Sequence, residues 1–118
     1  MKIERYGIYL LNIAPTKGAK PKKTKETKKK TQLCVVVSPD EVHRHLYTPI
    51  VAPVTAAPEG AEASGYPTRV ACEYPGGRGE VACDQVRAVD HTRLGRRLGR
   101  LDGPTAAKVA RTLVQMFS

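Results

Sequence analysis

The distribution of apolar residues along the chain is typical of a protein built mainly from short β-strands. Apolar runs rich in Val, Ile and Tyr are separated by segments rich in Pro, Gly and charged residues. The run at 32–37 is apolar on both faces, which indicates a central strand buried on both sides. The predicted strands cover residues 4–13, 32–37, 48–55, 68–73 and 80–89, with a short edge strand at 98–101.

A segment with three glycines, at 74–79, joins the fourth and fifth predicted strands. Glycine-rich loops bind phosphate where they open a helix, because the first helical amides then point at the anion. This segment lies between two strands instead. A plain hairpin turn is therefore the better interpretation.

Two segments have helical signals. Ser38, Pro39 and Glu41 have the spacing of a capping box with proline at the first helical position, which predicts a short helix over residues 39–45. A second helix begins near Asp102 and runs to about residue 117. We expect its apolar stripe to dock on the sheet; the stripe consists of Ala106, Val109, Ala110, Leu113, Val114 and Phe117. The whole pattern predicts one domain over residues 1–118, with a strongly bent, largely antiparallel sheet closed by a terminal helix.

Charge is concentrated in residues 17–32, which hold eight lysines against one glutamate in a chain of formal net charge +9. A cationic segment between two strands suggests a loop that binds a polyanion such as a nucleic acid or an acidic protein. The alternative is a solvated lysine run that only improves solubility. Composition alone leaves both interpretations open.

Several classes of protein are disfavoured by the remaining composition. No apolar run is long enough to span a membrane, and no signal peptide is recognisable at the start. Cys34, Cys72 and Cys83 form no C-x-x-C pair, and the three histidines are scattered, so we expect reduced thiols, a cytoplasmic location and no metal or other cofactor. No P-loop, dinucleotide fingerprint or nucleophile elbow is present.

Cleavage of RNA is compatible with this lack of motifs. The ribose 2′-OH is an internal nucleophile, so a protein needs only to position the phosphodiester, stabilise its charge and move protons. An Arg or Lys and an orienting hydroxyl are sufficient for this. Thr55, at the end of a predicted strand, is a candidate for the hydroxyl, although a threonine there is usually only a turn residue.

Several motifs, taken in order, resemble those of the MazF/PemK toxin family. The strongest are VVVSPDE, IVAPVT and DQVRAVD. The segments IYLLNIAPTKG and GYPTRV and the closing helix also match, and all of these segments occur in the family's order over nearly the whole chain. The resemblance implies a small SH3-like β-barrel with a C-terminal helix, a homodimer, and cleavage of single-stranded RNA without a metal. It also implies a cognate antitoxin that lays an acidic tail across the RNA groove.

The resemblance assigns roles to individual residues. Thr55 matches the catalytic Thr or Ser of the family, and Gln85 matches a position that lines the RNA groove. Arg87 and Asp90 fall in a segment that we interpret as mainly structural and dimer-supporting. The family's catalytic arginine is replaced here by Gln32, at the end of a longer loop, so we expect Lys25 or Lys30 to supply the charge. The expected RNA-binding residues are Lys17, Lys20, Lys22, Lys23, Gln32 and Gln85.

Two functions follow from this departure. The first is an active toxin that cuts single-stranded RNA, and the second is a catalytically eroded member that binds RNA or antitoxin without cutting. Glutamine favours the second, since it has no charge to offer a phosphate. Toxins of this fold that poison gyrase end in Trp-Gly-Ile, whereas this chain ends in Met116, Phe117 and Ser118 and has no tryptophan.

Overall fold

The computed structural model describes residues 2–13, 31–45, 47–56 and 64–118. Within these ranges the chain forms seven strands, two α-helices and two 3₁₀ turns. The strands are β1 (Gly7–Asn12), β2 (Thr31–Val36), β3 (Ile50–Ala56), β4 (Arg69–Tyr74), β5 (Gly77–Ala82), β6 (Arg87–Ala88) and β7 (Leu94–Arg100). The helices are α1 (Asp40–His45) and α2 (Gly103–Met116), and the 3₁₀ turns are Cys83–Gln85 and His91–Arg93.

The strands form one antiparallel sheet in the order β4-β5-β3-β2-β1-β7, with β6 paired to β3. Strand β3 is shared, because its end pairs with β5 at Val54–Ala56 and its start pairs with β6 at Ile50 and Val51. The fifth strand was predicted as one element over residues 80–89, and that prediction is wrong. Here the Cys83–Gln85 turn separates β5 from β6 and moves the chain along the edge of β3.

The glycine-rich hairpin is also tighter than predicted. Tyr74 pairs directly with Gly77, so the turn between β4 and β5 consists of Pro75 and Gly76 rather than residues 74–79. Gly76 has φ of +96°, a conformation that favours glycine. The other glycines of the segment extend β5. Gly79 lies against the backbone of Thr55, where a Cβ atom would clash with the Thr55 carbonyl oxygen.

Two apolar clusters occupy the two faces of the sheet. The helix-side cluster consists of Ile8, Val35, Val37, Ala52, Val54, Val70, Cys72, Val81, Cys83, Leu101 and Val109. The groove-side cluster consists of Tyr9, Leu11, Cys34, Val36, Val51, Val89 and Leu94. Cys34, Val35 and Val36 of β2 are all fully buried, so the prediction of a central strand with two apolar faces is confirmed.

Helix α2 covers the helix-side cluster, but not with the whole stripe predicted from sequence. Its Asp102 cap accepts the Thr105 amide at 2.8 Å, and Val109 is fully buried. Val114 and Phe117 are 67% and 74% exposed, so their predicted contact with the sheet is wrong. Met116 packs on the cluster together with Ala106 and Leu113, because the 100° step between helical residues turns Val114 away from it.

Helix α1 begins at Asp40, one residue later than predicted. The Ser38 hydroxyl accepts the Ile50 amide at 3.0 Å and lies 2.7 Å from Nε2 of His43. Ser38 therefore connects the helix to the start of β3. Among the described residues, no helix is long and apolar enough to cross a membrane.

Candidate functional site

A groove of about 360 Å³ opens on the groove-side face of the sheet. Residues that face each other on neighbouring antiparallel strands point the same way, and this register brings β1, β2, β3 and β6 side chains together here. Pairing of Leu11 with Gln32 and of Val51 with Arg87 places these four on one face. The lining residues are Leu11, Ile13, Gln32, Val51, Pro53, Gln85 and Arg87.

The turn at Cys83–Gln85 brings Gln85 into this groove. Its middle residue, Asp84, accepts hydrogen bonds from Nε of Arg69 at 2.9 Å and from the Thr68 hydroxyl at 3.0 Å. The bond from Arg69 is the main reason that the pKa of Asp84 lies below its usual range, so the carboxylate stays charged. These bonds fix the turn to the start of β4, and Gln85 is held beside Pro53 as a result.

Thr55 lies two residues beyond Pro53 on β3, so its side chain is on the same face as the groove. It is half-buried, and its hydroxyl donates to the Glu80 carbonyl of β5 at 3.3 Å. The pairing of β2 with β3 ends at Cys34 with Pro53, and beyond it β3 pairs with β5 from Val54 to Ala56. The hydroxyl therefore lies outside the lined part of the groove, on the same face and two residues beyond the lining residue Pro53.

Ser64, the first described residue after Ala56, is hydrogen-bonded to β5, the strand that also contacts Thr55. Glu80 faces Thr55 across the β3–β5 pair, and its carboxylate accepts the Ser64 amide at 2.9 Å. Ser64 in turn accepts the Tyr66 amide at 3.2 Å. Glu80 thus sets the position of Thr55 through its carbonyl and the position of the returning chain through its side chain.

Arg87 is the one charged side chain among the described residues that line the groove. It is exposed, and no described residue forms a hydrogen bond or ion pair with it. Its charge acts on Cys34 beneath the groove: burial raises the pKa of this thiol to about 12, and Arg87 opposes that rise. Since the thiol stays neutral at physiological pH, the positive charge in the groove is not compensated by it.

The sequence-based assignments agree only in part with this geometry. Gln32 and Gln85 meet in the groove with Thr55 nearby, whereas Lys17, Lys20, Lys22, Lys23, Lys25 and Lys30 lie outside the described residues. Arg87 was interpreted as mainly structural, but it lines the groove. Its spacing of two from Gln85 in a strand-like segment was a signal for a shared face that the sequence reasoning did not use.

Asp90 has a structural role within the chain, while its expected contribution to a dimer stays a prediction. Its carboxylate accepts the amide and the hydroxyl of Thr92, at 2.9 and 2.8 Å, and caps the turn His91–Arg93. These bonds lower the pKa of Asp90. Within the described ranges, no group of three His, Cys, Asp or Glu side chains is arranged to hold a metal ion.

A small antiparallel sheet with a polar groove on one face and a C-terminal helix on the other defines the class to which the chain belongs. The family described as PemK-like, MazF-like toxin of type II toxin-antitoxin system matches residues 4–117. The chain is therefore a member of that family, as the motifs indicated. No curated protein sequence matches the chain.

Solved structures share its fold at low sequence identity. An endoribonuclease in complex with its cognate antitoxin, from a mycobacterial species, has a TM-score of 0.73 at 19% identity and covers 98% of this chain and 94% of its own. A chain of MazE-MazF (Form-III) from Deinococcus radiodurans has a TM-score of 0.74 at 21% identity and covers 99% of this chain and 97% of its own. Mycobacterium tuberculosis toxin MazF-mt6 has a TM-score of 0.68 at 19% identity and covers 94% of this chain and 95% of its own. The predicted fold, a small MazF-type β-barrel with a C-terminal helix, is confirmed.

Proposed function

We propose that this protein is the toxin of a type II toxin–antitoxin pair and a metal-independent endoribonuclease that cleaves single-stranded RNA. The observation that carries the proposal is the groove itself, where two amides and a guanidinium lie on the face that also holds Thr55. Family membership supports the toxin role, and the mycobacterial neighbour is described as an endoribonuclease.

The proposed reaction uses the nucleophile that RNA carries. The ribose 2′-oxygen loses its proton and bonds to phosphorus, the bond from phosphorus to the 5′-oxygen breaks, and that oxygen takes up a proton. The products are a 2′,3′-cyclic phosphate and a 5′-hydroxyl. The protein's part is to hold the phosphate in line and to stabilise the charge that develops on its oxygens.

The residues divide this work between them. Thr55 turns its hydroxyl from the Glu80 carbonyl, a bond of 3.3 Å, to a phosphate oxygen. Gln32 and Gln85 offer amide donors and acceptors to bases lying in the groove. Lys25 or Lys30 supplies charge at the scissile phosphate, and the remaining lysines of the loop, Lys17, Lys20, Lys22 and Lys23, bind the RNA backbone.

The same groove suits the proposed protein partner. An acidic tail of a cognate antitoxin competes with RNA for a cationic groove, since carboxylates and phosphates use the same donors. The neighbour from a mycobacterial species was solved with its antitoxin. We further propose a homodimer of one-domain subunits, each spanning residues 1–118, that acts in the cytoplasm.

Cleavage of a mixed-sequence single-stranded RNA in excess EDTA tests the activity. The parent protein is expected to cut it, and Thr55→Ala to lower the rate about 10²- to 10³-fold, as removal of one phosphate-binding donor commonly does. Thr48→Ala, on an exposed residue before the same strand, is the matched control and keeps full activity. Loss of parent cleavage in EDTA, with recovery on adding Mg²⁺, would contradict the proposal.

The second candidate is a member that binds RNA or antitoxin without cutting it. Gln32 favours it, because this half-buried groove residue is neutral where a phosphate needs a cation. Gln32→Arg separates the two functions. A parent that binds RNA but leaves it intact, together with a Gln32→Arg variant that cuts, establishes the binding function, whereas cleavage by the parent excludes it.

A further inference from the structure

Among the described residues, Arg87 carries the one charge that lines the groove. Strand β6 pairs Arg87 with Val51, which puts Arg87 on the same face as Pro53 and Thr55 along β3. The floor beneath is apolar and includes Leu11 and Val51, both essentially fully buried. A guanidinium above such a floor is less screened than one in open solvent, and its attraction for an anion is correspondingly stronger.

Arg87 is also free to take a ligand. Its side chain is exposed and forms no hydrogen bond or ion pair with a described residue, and Gln85, two residues before it, also lines the groove. By contrast, Arg69 is occupied by Asp84 at 2.9 Å, and Arg97 lies 3.4 Å from Glu4. A planar guanidinium with its donors unoccupied is suited to two parallel hydrogen bonds with a phosphate.

The distance from Arg87 to Thr55 decides which phosphate it meets. Four residues of β3 separate Val51 from Thr55, about 13 Å at 3.3 Å per residue. An arginine reaching along the groove shortens this gap without closing it. Arg87 therefore meets a phosphate beside the one held at Thr55 on a strand lying along β3.

We infer that Arg87 binds the RNA backbone at the phosphate next to the scissile one and fixes the register of the strand in the groove. This inference rests on the proposed function. It gives the groove a cation from the folded sheet, at a phosphate other than the scissile one for which Lys25 or Lys30 is proposed. Arg87 is thus an RNA-binding residue that nothing in its motif assigned, and the amides of Gln32 and Gln85 are left to contact the bases between the two phosphates.

Binding of a fluorescent, single-stranded 2′-O-methyl RNA of mixed sequence tests the inference, since this probe lacks the 2′-OH and is not consumed. Arg87→Gln is expected to weaken binding about 10- to 100-fold at low salt, the usual loss for a hydrogen bond to a charged group. It is also expected to lower the slope of log K against log salt by about 0.7, the value for one phosphate contact on a single strand.

Arg87→Lys and Arg100→Gln are the matched variants. Arg87→Lys keeps the charge, so the salt slope stays at the parent value while part of the affinity is lost with the second hydrogen bond. Arg100→Gln removes the same charge from an exposed arginine paired with Gly7, at the end of β1 away from Leu11 and Ile13, and leaves affinity and slope close to those of the parent.

The outcomes separate this inference from the proposed function. A parent that binds and cleaves RNA, with an Arg87→Gln variant of equal affinity and slope, overturns the role of Arg87 and leaves the proposed function intact. An equal loss in Arg100→Gln also overturns it, because the effect is then one of net charge. A parent that neither binds the probe nor cleaves RNA overturns the proposed function itself.

Discussion

The two faces of the sheet are built from the same strands but are completed differently. On the helix side, α2 adds Val109, Ala106 and Leu113, and the cluster is closed over. On the groove side, no helix among the described residues packs on the cluster from Tyr9 to Leu94, and polar side chains continue the surface. One face is therefore organised for stability, and the other leaves room for a ligand.

The difference arises at a few positions rather than along whole strands. Both faces of β2 are apolar at Cys34, Val35 and Val36, so alternation by itself does not distinguish them. The groove becomes polar where strands end or are interrupted, at Gln32 near the start of β2 and at Gln85 in the 3₁₀ turn. The polar residues of this site lie where strands end or are interrupted, while the middle residues of the strands form the apolar core.

The largest effect is expected from a charge placed under α2. Val109→Asp buries a carboxylate with no partner and is expected to lower the free energy of unfolding by at least about 4 kcal/mol. Urea denaturation followed by circular dichroism measures this loss. Val109 is fully buried, so the protein has no low-cost way to hydrate the charge.

Val114→Asp is the control on the same helix, and it should change stability by less than about 0.5 kcal/mol because Val114 is 67% exposed. Similar losses in the two variants would show that Val114 is covered in solution. Little loss in Val109→Asp would show that closure by α2 is not what stabilises the helix side.

A change at Gly79 should affect both faces at once. A Cβ there would meet the Thr55 carbonyl oxygen, which is backbone and cannot turn aside. Gly79→Ala must then push β3 and β5 apart, at a cost of about 3 kcal/mol. Because Thr55 moves with β3, RNA cleavage should fall even in the fraction that remains folded.

Denaturant midpoints and single-turnover cleavage, measured at a temperature where both proteins are folded, check this expectation. Gly103→Ala is the control, since no atom lies within 4 Å of its added Cβ. Unchanged cleavage in a destabilised Gly79→Ala protein would separate the position of Thr55 from the packing of β3 on β5. Unchanged stability would mean that the strands do not approach as closely as the structure shows.

Local signals in the sequence were sufficient for the elements that fold on local preference. The Asp102 cap and the 3.6-residue spacing that contains Val109 predicted α2, and the unbroken apolar run predicted β2. The orientation of α2 was not predictable to one residue, because the choice between Met116 and Val114 depends on the shape of the sheet below. Tight pairing of Tyr74 with Gly77 was missed for a related reason, since three glycines permit either a long turn or a short one.

The candidate site depended on contacts between distant segments. Thr55, Gln32 and Gln85 were named from motifs, but Gln32 and Gln85 share a groove because strand pairing places the first and the turn after β5 places the second. The break after β5 was not recognisable from the local sequence, because the turn there is held by a bond from Arg69 to Asp84, 15 residues apart. Arg87 was assigned a mainly structural and dimer-supporting role from the resemblance of its segment to the family, and its place in the groove was therefore missed.

The smallest effect concerns the thiol beneath the groove and depends on pH. Burial raises the pKa of Cys34 from 9.0 to about 12, so above pH 9 the unfolded chain loses a proton that the folded chain keeps. The contribution of this thiol to stability is therefore complete below pH 9 and is lost as the pH rises toward 12. At pH 10.5 the loss amounts to about 2 kcal/mol.

Cys34→Ala isolates this contribution from the other groups that titrate in the same range. The variant should be about 1 kcal/mol less stable than the parent at pH 7, because it leaves a small void, and more stable than the parent at pH 10.5. Val36→Ala, a fully buried change on the same strand, should show a constant deficit. Urea midpoints at the two pH values measure these differences in stability. If the difference in stability between Cys34→Ala and the parent is the same at both pH values, the thiol is hydrated in solution. The apolar floor of the groove is then open to water.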